Sequence, residues 1–325
     1  MDYDDPIYGP CTIDEPVILA LLRSQAVRRL RGVLQHGITA LLGHTRAITR
    51  FEHSCGVLLL VRRLGGSVRE QVAALLHDIS HTAFSHVIDH VFDAHGPHSY
   101  HEQKKAEWLA RSDVPPILDA HGFDWADFLD DTAYPLLEQP SPRLCADRLD
   151  YFLRDASALD ILDAHDIQRA LKHLVVREGR LALDDLATAR LLAQRYLATD
   201  ETSWSNPQEL VRYELTARAI KTALARGVVA EDDLWTVDRQ LWEKLQGATD
   251  PEVQRQVALI VQPPRFVVDD AAPTFRIPPK VRTIDPDVTV EGGLRPLSEL
   301  DPAFRQLRAD YIRHKSGGLA LRLLG

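Results

Sequence analysis

The sequence predicts a mainly α-helical fold: a helical bundle with a small β-hairpin and a C-terminal α+β appendage. Three observations lead there. From Asp14 to about Gly247 apolar residues recur at the three- and four-residue spacing of buried helix faces. Helix start signals punctuate that pattern. Eight of the 19 prolines, with short β-favouring runs between them, fall between Pro263 and Pro302.

Taken in order, Pro16 to Leu22 followed by Val27, Leu30, Val33 and Leu34 has the spacing of a buried face. Ser67-Val68-Arg69-Glu70 reads as a capping box, and the helix it opens carries Val72, Ala73, Leu75 and Leu76 to the core. Ser141-Pro142 reads as a second start, with Pro142 at the first helical position. Val175 to Leu183 predicts a two-stranded hairpin turning at Glu178-Gly179. Helices then resume from Leu186 to Tyr196 and from Glu209 to Arg226. We divide the chain into a helical core over 1–254 and a small α+β element over 255–325, the latter read as a packing and oligomerisation element.

Composition narrows the function. A net charge of -9 argues against coating nucleic acid as the main task, while leaving room for a local basic pocket. Three cysteines, Cys11, Cys55 and Cys145, without C-x-x-C spacing point to a reducing compartment. The acidic N-terminus lacks a signal-peptide pattern and no apolar run is long enough to span a bilayer, so the expectation is a soluble, cytoplasmic protein with no membrane partner. Of 14 histidines, eleven lie between His36 and His121, a clustering that a metal or proton-transfer site explains.

The metal constellation follows from spacing. His53 opens a helical run to about Arg63, Gly65-Gly66 breaks it, and the capped helix from Ser67 returns to His77-Asp78. Two antiparallel arms of about eleven residues, roughly 16 Å each, bring His53 beside His77 and Asp78. Asp147 is the candidate fourth ligand, in a stretch where positions 147, 150, 151, 154 and 155 repeat at helical spacing. Two imidazoles and two carboxylates suit a divalent ion such as manganese, iron, magnesium, nickel or zinc.

Three blocks then carry a resemblance: Arg50-Phe51-Glu52-His53-Ser54, Leu75-Leu76-His77-Asp78-Ile79-Ser80-His81-Thr82-Ala83-Phe84-Ser85-His86, and Asp147 through Asp155. In this order they resemble the HD-domain deoxynucleoside triphosphate triphosphohydrolases, from about Asp5 to about Leu224. The resemblance implies an HD helical bundle and His53, His77, Asp78 and Asp147 as metal ligands. It implies Arg50 as the grip on the α-phosphate and His81 as the catalytic histidine, supported by His101, Glu102 and Asp89, with His86 in the same cluster. It implies Gln35, Tyr151 and Asp155 as sugar contacts, a dNTP as substrate and an oligomeric assembly. His90, His95, His98 and His121 are read as ordinary helix or loop histidines.

The chain departs from that pattern in two places. His36 stands where relatives often carry leucine, and Trp204-Ser205-Asn206-Pro207 replaces a Tyr-x-His segment. The basic residues expected near the latter are missing, with Arg212, Arg218 and Lys221 as candidate substitutes. Alternatives are a nucleoside monophosphate phosphatase, another nucleotide phosphodiesterase, or a nucleotide sensor without turnover. The Gly-Tyr-Pro signature of cyclic-dinucleotide enzymes is absent.

Overall fold

In a computed structural model describing residues 1–92, 99–278 and 280–324, the chain is mainly helical with three small sheets. The helix Arg50–Arg63 is the centre of the larger core, its residues buried on nearly every side from His53 to Val61. A capping box starts it: the Thr49 side chain accepts from the Glu52 amide, and Glu52 reaches back to the Thr49 amide at 2.7 Å. Gly65, at φ +79, turns the chain, as a residue without Cβ readily does. The helix Val68–Leu76 then returns antiparallel, beginning at Ser67 as expected. Only half of that box forms, because the Glu70 carboxylate accepts instead from the Leu136 amide at 2.9 Å.

Contacts set two helix ends, the second of them later than the start read at Ser141-Pro142. The return helix stops at Leu76, so His81 is not one helical turn beyond His77. Arg29 is the local reason: its guanidinium donates to the carbonyls of Ile79 (3.0 Å) and His81 (2.7 Å), which a continuing helix would have used internally. The helix bearing Asp147 spans Ala146–Ala158, four residues after Pro142. Pro142 lies in a loop whose carbonyl accepts from the Asp285 amide at 2.8 Å.

The hairpin forms as read, Leu174–Arg177 against Arg180–Leu183, with Glu178 and Gly179 both at positive φ. The C-terminal segment does not stand apart from it. Strand Asp287–Val290 pairs parallel with Arg180–Leu183 and antiparallel with Gly293–Pro296, giving a four-stranded sheet. A second core, around helices Pro207–Ala225 and Pro251–Val261, packs on the three-stranded sheet of Phe266–Val268, Leu319–Leu323 and Phe275–Ile277. No helix among the described residues is long and apolar enough to cross a membrane.

Candidate metal centre and substrate cavity

Three elements converge at one point. The central helix supplies Arg50 and His53, the end of the return helix supplies His77 and Asp78, and the Ala146–Ala158 helix supplies Asp147. His53 Nε2 lies 2.9 Å from Asp147 Oδ1 and 3.2 Å from His77 Nε2. His77 Nε2 is 3.5 Å from Asp147 Oδ1, and Asp78 stands 3.6 Å from His77 and 3.7 Å from His53. Donors about 2.1 Å from one ion are separated by about 3.0 Å at right angles and about 3.4 Å at the tetrahedral angle. The observed spacings match that range, with Asp78 slightly outside because its Oδ2, the oxygen nearer His53, is held by Arg50 at 2.7 Å.

The tautomers fit a cation as well. His77 Nδ1 bonds the Ala74 carbonyl at 2.8 Å, and His53 Nδ1 bonds the Asp150 carboxylate at 2.7 Å. Both acceptors require an N–H on Nδ1, so in neutral rings both Nε2 lone pairs point at each other and at Asp147. That concentration of lone pairs calls for a positive charge. Burial opposes charge on His53, yet hydrogen bonds to Asp147 and Asp150 outweigh it and push its pKa up to about 10. Asp147 is depressed despite burial, by its bonds from His53 and His77, and Asp78 falls well below the carboxylate range despite burial, chiefly through Arg50.

Behind His53 lies support that the sequence reading did not assign. Asp150 also accepts from Tyr8 Oη at 2.8 Å and Arg154 Nε at 2.8 Å, and Arg154 reaches Asp5 at 2.8 Å. Asp5, Asp150 and Arg154 are almost fully buried. Gly56 makes room for this network: a Cβ there would overlap the Arg154 guanidinium and the Asp150 carboxylate. The helical repeat through 150 and 154 was the available signal, but a solvated face has the same spacing.

Beside the centre, a cavity of about 500 Å³ is lined by Arg50, His77, Asp78, His81, His86, His101 and Asp147. His81 Nε2 is 3.2 Å from Asp78, and its ring stacks on His101 with centroids 3.6 Å apart. Burial, then the Arg50 charge, pull His81 down to about 3, while burial chiefly lowers His86 and His101 as well. The Nδ1 atoms of His81 and His101 are buried without a partner among the described residues. Asp89 and Glu102 line the cavity, but neither bonds His81: Asp89 pairs with His86 at 3.0 Å, and Glu102 caps its own helix at Ser99. His90 also lines it, His121 is exposed at a helix end, and His95 and His98 lie outside the described residues.

The cavity continues past Arg50 into a recess of about 380 Å³ lined by Gln35, His36, Tyr151, Asp155, Trp204 and Tyr213. Asp155 receives His36 Nε2 at 2.9 Å and the Trp204 indole N–H at 2.7 Å, so the two departures meet on one carboxylate. Tyr151 bonds Tyr196 at 2.6 Å, and Gln35 Oε1 is buried without a partner among the described residues. Gly37, at φ +48, allows this loop to press against the Phe84 backbone. Arg212, Arg218 and Lys221 line neither space. Lys280 and Arg282, from the C-terminal segment, line both.

Residues 50–155 match the HD domain family. Over 317 residues the chain is 42% identical to the metal-dependent phosphohydrolase cns2 of Cordyceps militaris, covering 95% of this chain and 91% of that protein. It is more distantly similar to the deoxynucleoside triphosphate triphosphohydrolase SAMHD1 of Gallus gallus, 24% identical over 54% of this chain and 37% of that one. The fold matches a crystallised phosphohydrolase of Bacteroides thetaiotaomicron across 99% of both chains, with a TM-score of 0.74 at 17% identity. A buried histidine–aspartate cluster that fits one divalent ion, in a chain so closely similar to cns2, makes this protein a member of the HD-domain metal-dependent phosphohydrolases.

Proposed function

We propose that the chain hydrolyses nucleotides, with deoxynucleoside triphosphates as the substrate class, cleaving at the α-phosphorus to release deoxynucleoside and triphosphate. The observation that carries the reading is the continuity of the cavity, from the histidine–aspartate cluster past Arg50 to Gln35, Tyr151 and Asp155. A phosphate and a sugar one bond apart need these two environments side by side. The distant similarity to SAMHD1 supports the same substrate class.

In this reading His53, His77, Asp78 and Asp147 hold the ion. A divalent ion there supplies Lewis acidity, withdrawing charge from a phosphoryl oxygen and acidifying water. Arg50, fixed by Ser85 at 3.1 Å and Asp78, presents its guanidinium to the phosphate. His81 is kept neutral by burial and by Arg50; a phosphate beside it raises its proton affinity, so it can pass a proton to the departing 5′-oxygen. Water adds to phosphorus, the bond to the 5′-oxygen breaks, and that oxygen takes the proton. His86 and His101 complete the pocket around His81, Asp89 orients His86, and Glu102 fixes the helix bearing His101. Gln35, Tyr151 and Asp155 receive the sugar.

One observation favours a second reading, a nucleoside monophosphate phosphatase: His36 and Trp204 occupy both oxygens of Asp155, altering the sugar contact. Incubation with each dNTP, NTP and monophosphate, followed by chromatography, separates the two. Deoxynucleoside plus intact triphosphate is the expected product. Orthophosphate or pyrophosphate from dNTPs contradicts α-cleavage, and turnover confined to monophosphates replaces the first reading with the second.

A further inference from the structure

The C-terminal segment brings two cations to the cavity that the hydrolytic step described above does not use. Residues 280–283 run between strand Phe275–Ile277 and Asp285, whose amide is tied to the Pro142 carbonyl at 2.8 Å. Arg308 donates to Thr283 at 3.1 Å, pinning the same stretch from the last helix. Facing it, the segment Asp200–Trp204 is held by Tyr311, donating to Asp200 at 2.7 Å, and by Lys315, donating to Ser205 at 2.9 Å. Lys280 and Arg282 therefore sit on an anchored backbone, not on a free loop.

Neither cation has a close hydrogen-bonded carboxylate among the described residues. Arg282 stands 3.7 Å from Asp200 and its guanidinium lies 5.9 Å from the Trp204 ring centre. Lys280 makes no hydrogen bond or ion pair among the described residues, although Asp89 and Glu102 act on it from a distance. Arg50 lines the same space, with its charge offset by Asp78. Repulsion by Arg282, followed by desolvation, lowers Lys280 to about 8 even though the side chain is exposed at the cavity mouth. Carboxylates such as Asp89 and Glu102 also line the cavity, but among the described residues none pairs directly with Lys280, which leaves it and Arg282 placed to hold an anion between them.

We propose that Lys280 and Arg282 form a polyphosphate arm, holding the phosphates beyond the one that reacts and making nucleoside triphosphates better ligands than monophosphates. This rests on the reading that a phosphoester binds beside Arg50. It places the distal phosphates with the C-terminal segment, where the sequence suggested Arg212, Arg218 or Lys221.

The test uses the full chain with its divalent ion in excess and two probes without a nucleoside, inorganic tripolyphosphate and orthophosphate, in calorimetric titrations. Lys280→Gln and Arg282→Gln are each expected to weaken tripolyphosphate binding by roughly ten- to a hundredfold, the scale of a charge-assisted phosphate contact, and to leave orthophosphate within about threefold. Arg282→Lys, which keeps the charge but not the planar contact with Trp204, is expected to recover most of the loss. Unchanged tripolyphosphate affinity, or equal losses for both probes, overturns the arm. Since neither probe carries a base or sugar, that outcome is independent of whether dNTPs are the substrates.

Discussion

Replacing Gly56 with alanine sets two effects of opposite sign against each other, and the structure decides between them. Gly56 lies inside the helix Arg50–Arg63 at ordinary helical geometry. On propensity alone, alanine stabilises such a position by about 1 kcal/mol. The added Cβ, however, would occupy space held by the Arg154 guanidinium and the Asp150 carboxylate. Both are buried, Arg154 also binds Asp5, and the surrounding core leaves little room for them to separate together. Disrupting a buried ion pair costs about 3–5 kcal/mol, so Gly56→Ala is expected to destabilise by about 2–4 kcal/mol. The same displacement loosens the 2.7 Å bond from His53 Nδ1 to Asp150. Losing such an outer partner lowers metal affinity by about ten- to a hundredfold. Denaturant titration of the metal-free protein measures the first quantity, and competition with a chelator of known affinity measures the second. A Gly56→Ala protein as stable as the parent, with unchanged metal affinity, would refute the role given to the Asp5–Arg154–Asp150–His53 chain.

Two further outcomes follow from the site and its surroundings. His81→Ala is expected to keep metal and bind nucleotide while losing turnover by roughly two to four orders of magnitude; wild-type turnover in the folded, metal-loaded variant removes His81 from the chemistry. Asp238 is buried, accepts from the amides of Phe84 (2.9 Å) and Leu34 (3.1 Å), and is raised by burial to about 7. It therefore binds a proton more tightly folded than unfolded, and its stabilising contribution, full below about pH 4, is lost as pH rises toward 7, by at most about 1.4 kcal/mol per unit. Asp238→Asn is expected to flatten that part of the stability profile, and an unaltered slope in chemical unfolding contradicts it.

The parts of the fold set by local rules were legible in the sequence. Helix spacing, the Gly65 turn and the Glu178-Gly179 hairpin depend on nearby residues, and all three formed. The juxtaposition of His53 with His77-Asp78 was readable because two arms of similar length and one turn determine it. What escaped depended on contacts distant in sequence. Arg29 ends the helix before His81 from 50 residues away, and Asp150 is committed to His53 rather than to solvent. The Thr49–Glu52 box forms in full, while Ser67–Glu70, with the same local pattern, loses half its box to Leu136. Lys280 and Arg282 were the least readable. Nothing local distinguishes a proline-flanked basic pair on a packing segment from one that reaches a cavity formed by residues far earlier in the chain.

The decisive measurement is the location of the ion. Crystals of the manganese-loaded protein, measured at the manganese absorption edge, report it without reference to any substrate. A single strong anomalous peak is expected between these side chains, about 2.0–2.2 Å from His53 Nε2, His77 Nε2 and an Asp147 oxygen, with Asp78 drawn in from Arg50 to join them. Strong density instead at the Asp163, His165 and Asp166 group near the surface, the other described cluster able to hold an ion, with none between His53 and His77, would contradict the assignment of the metal centre.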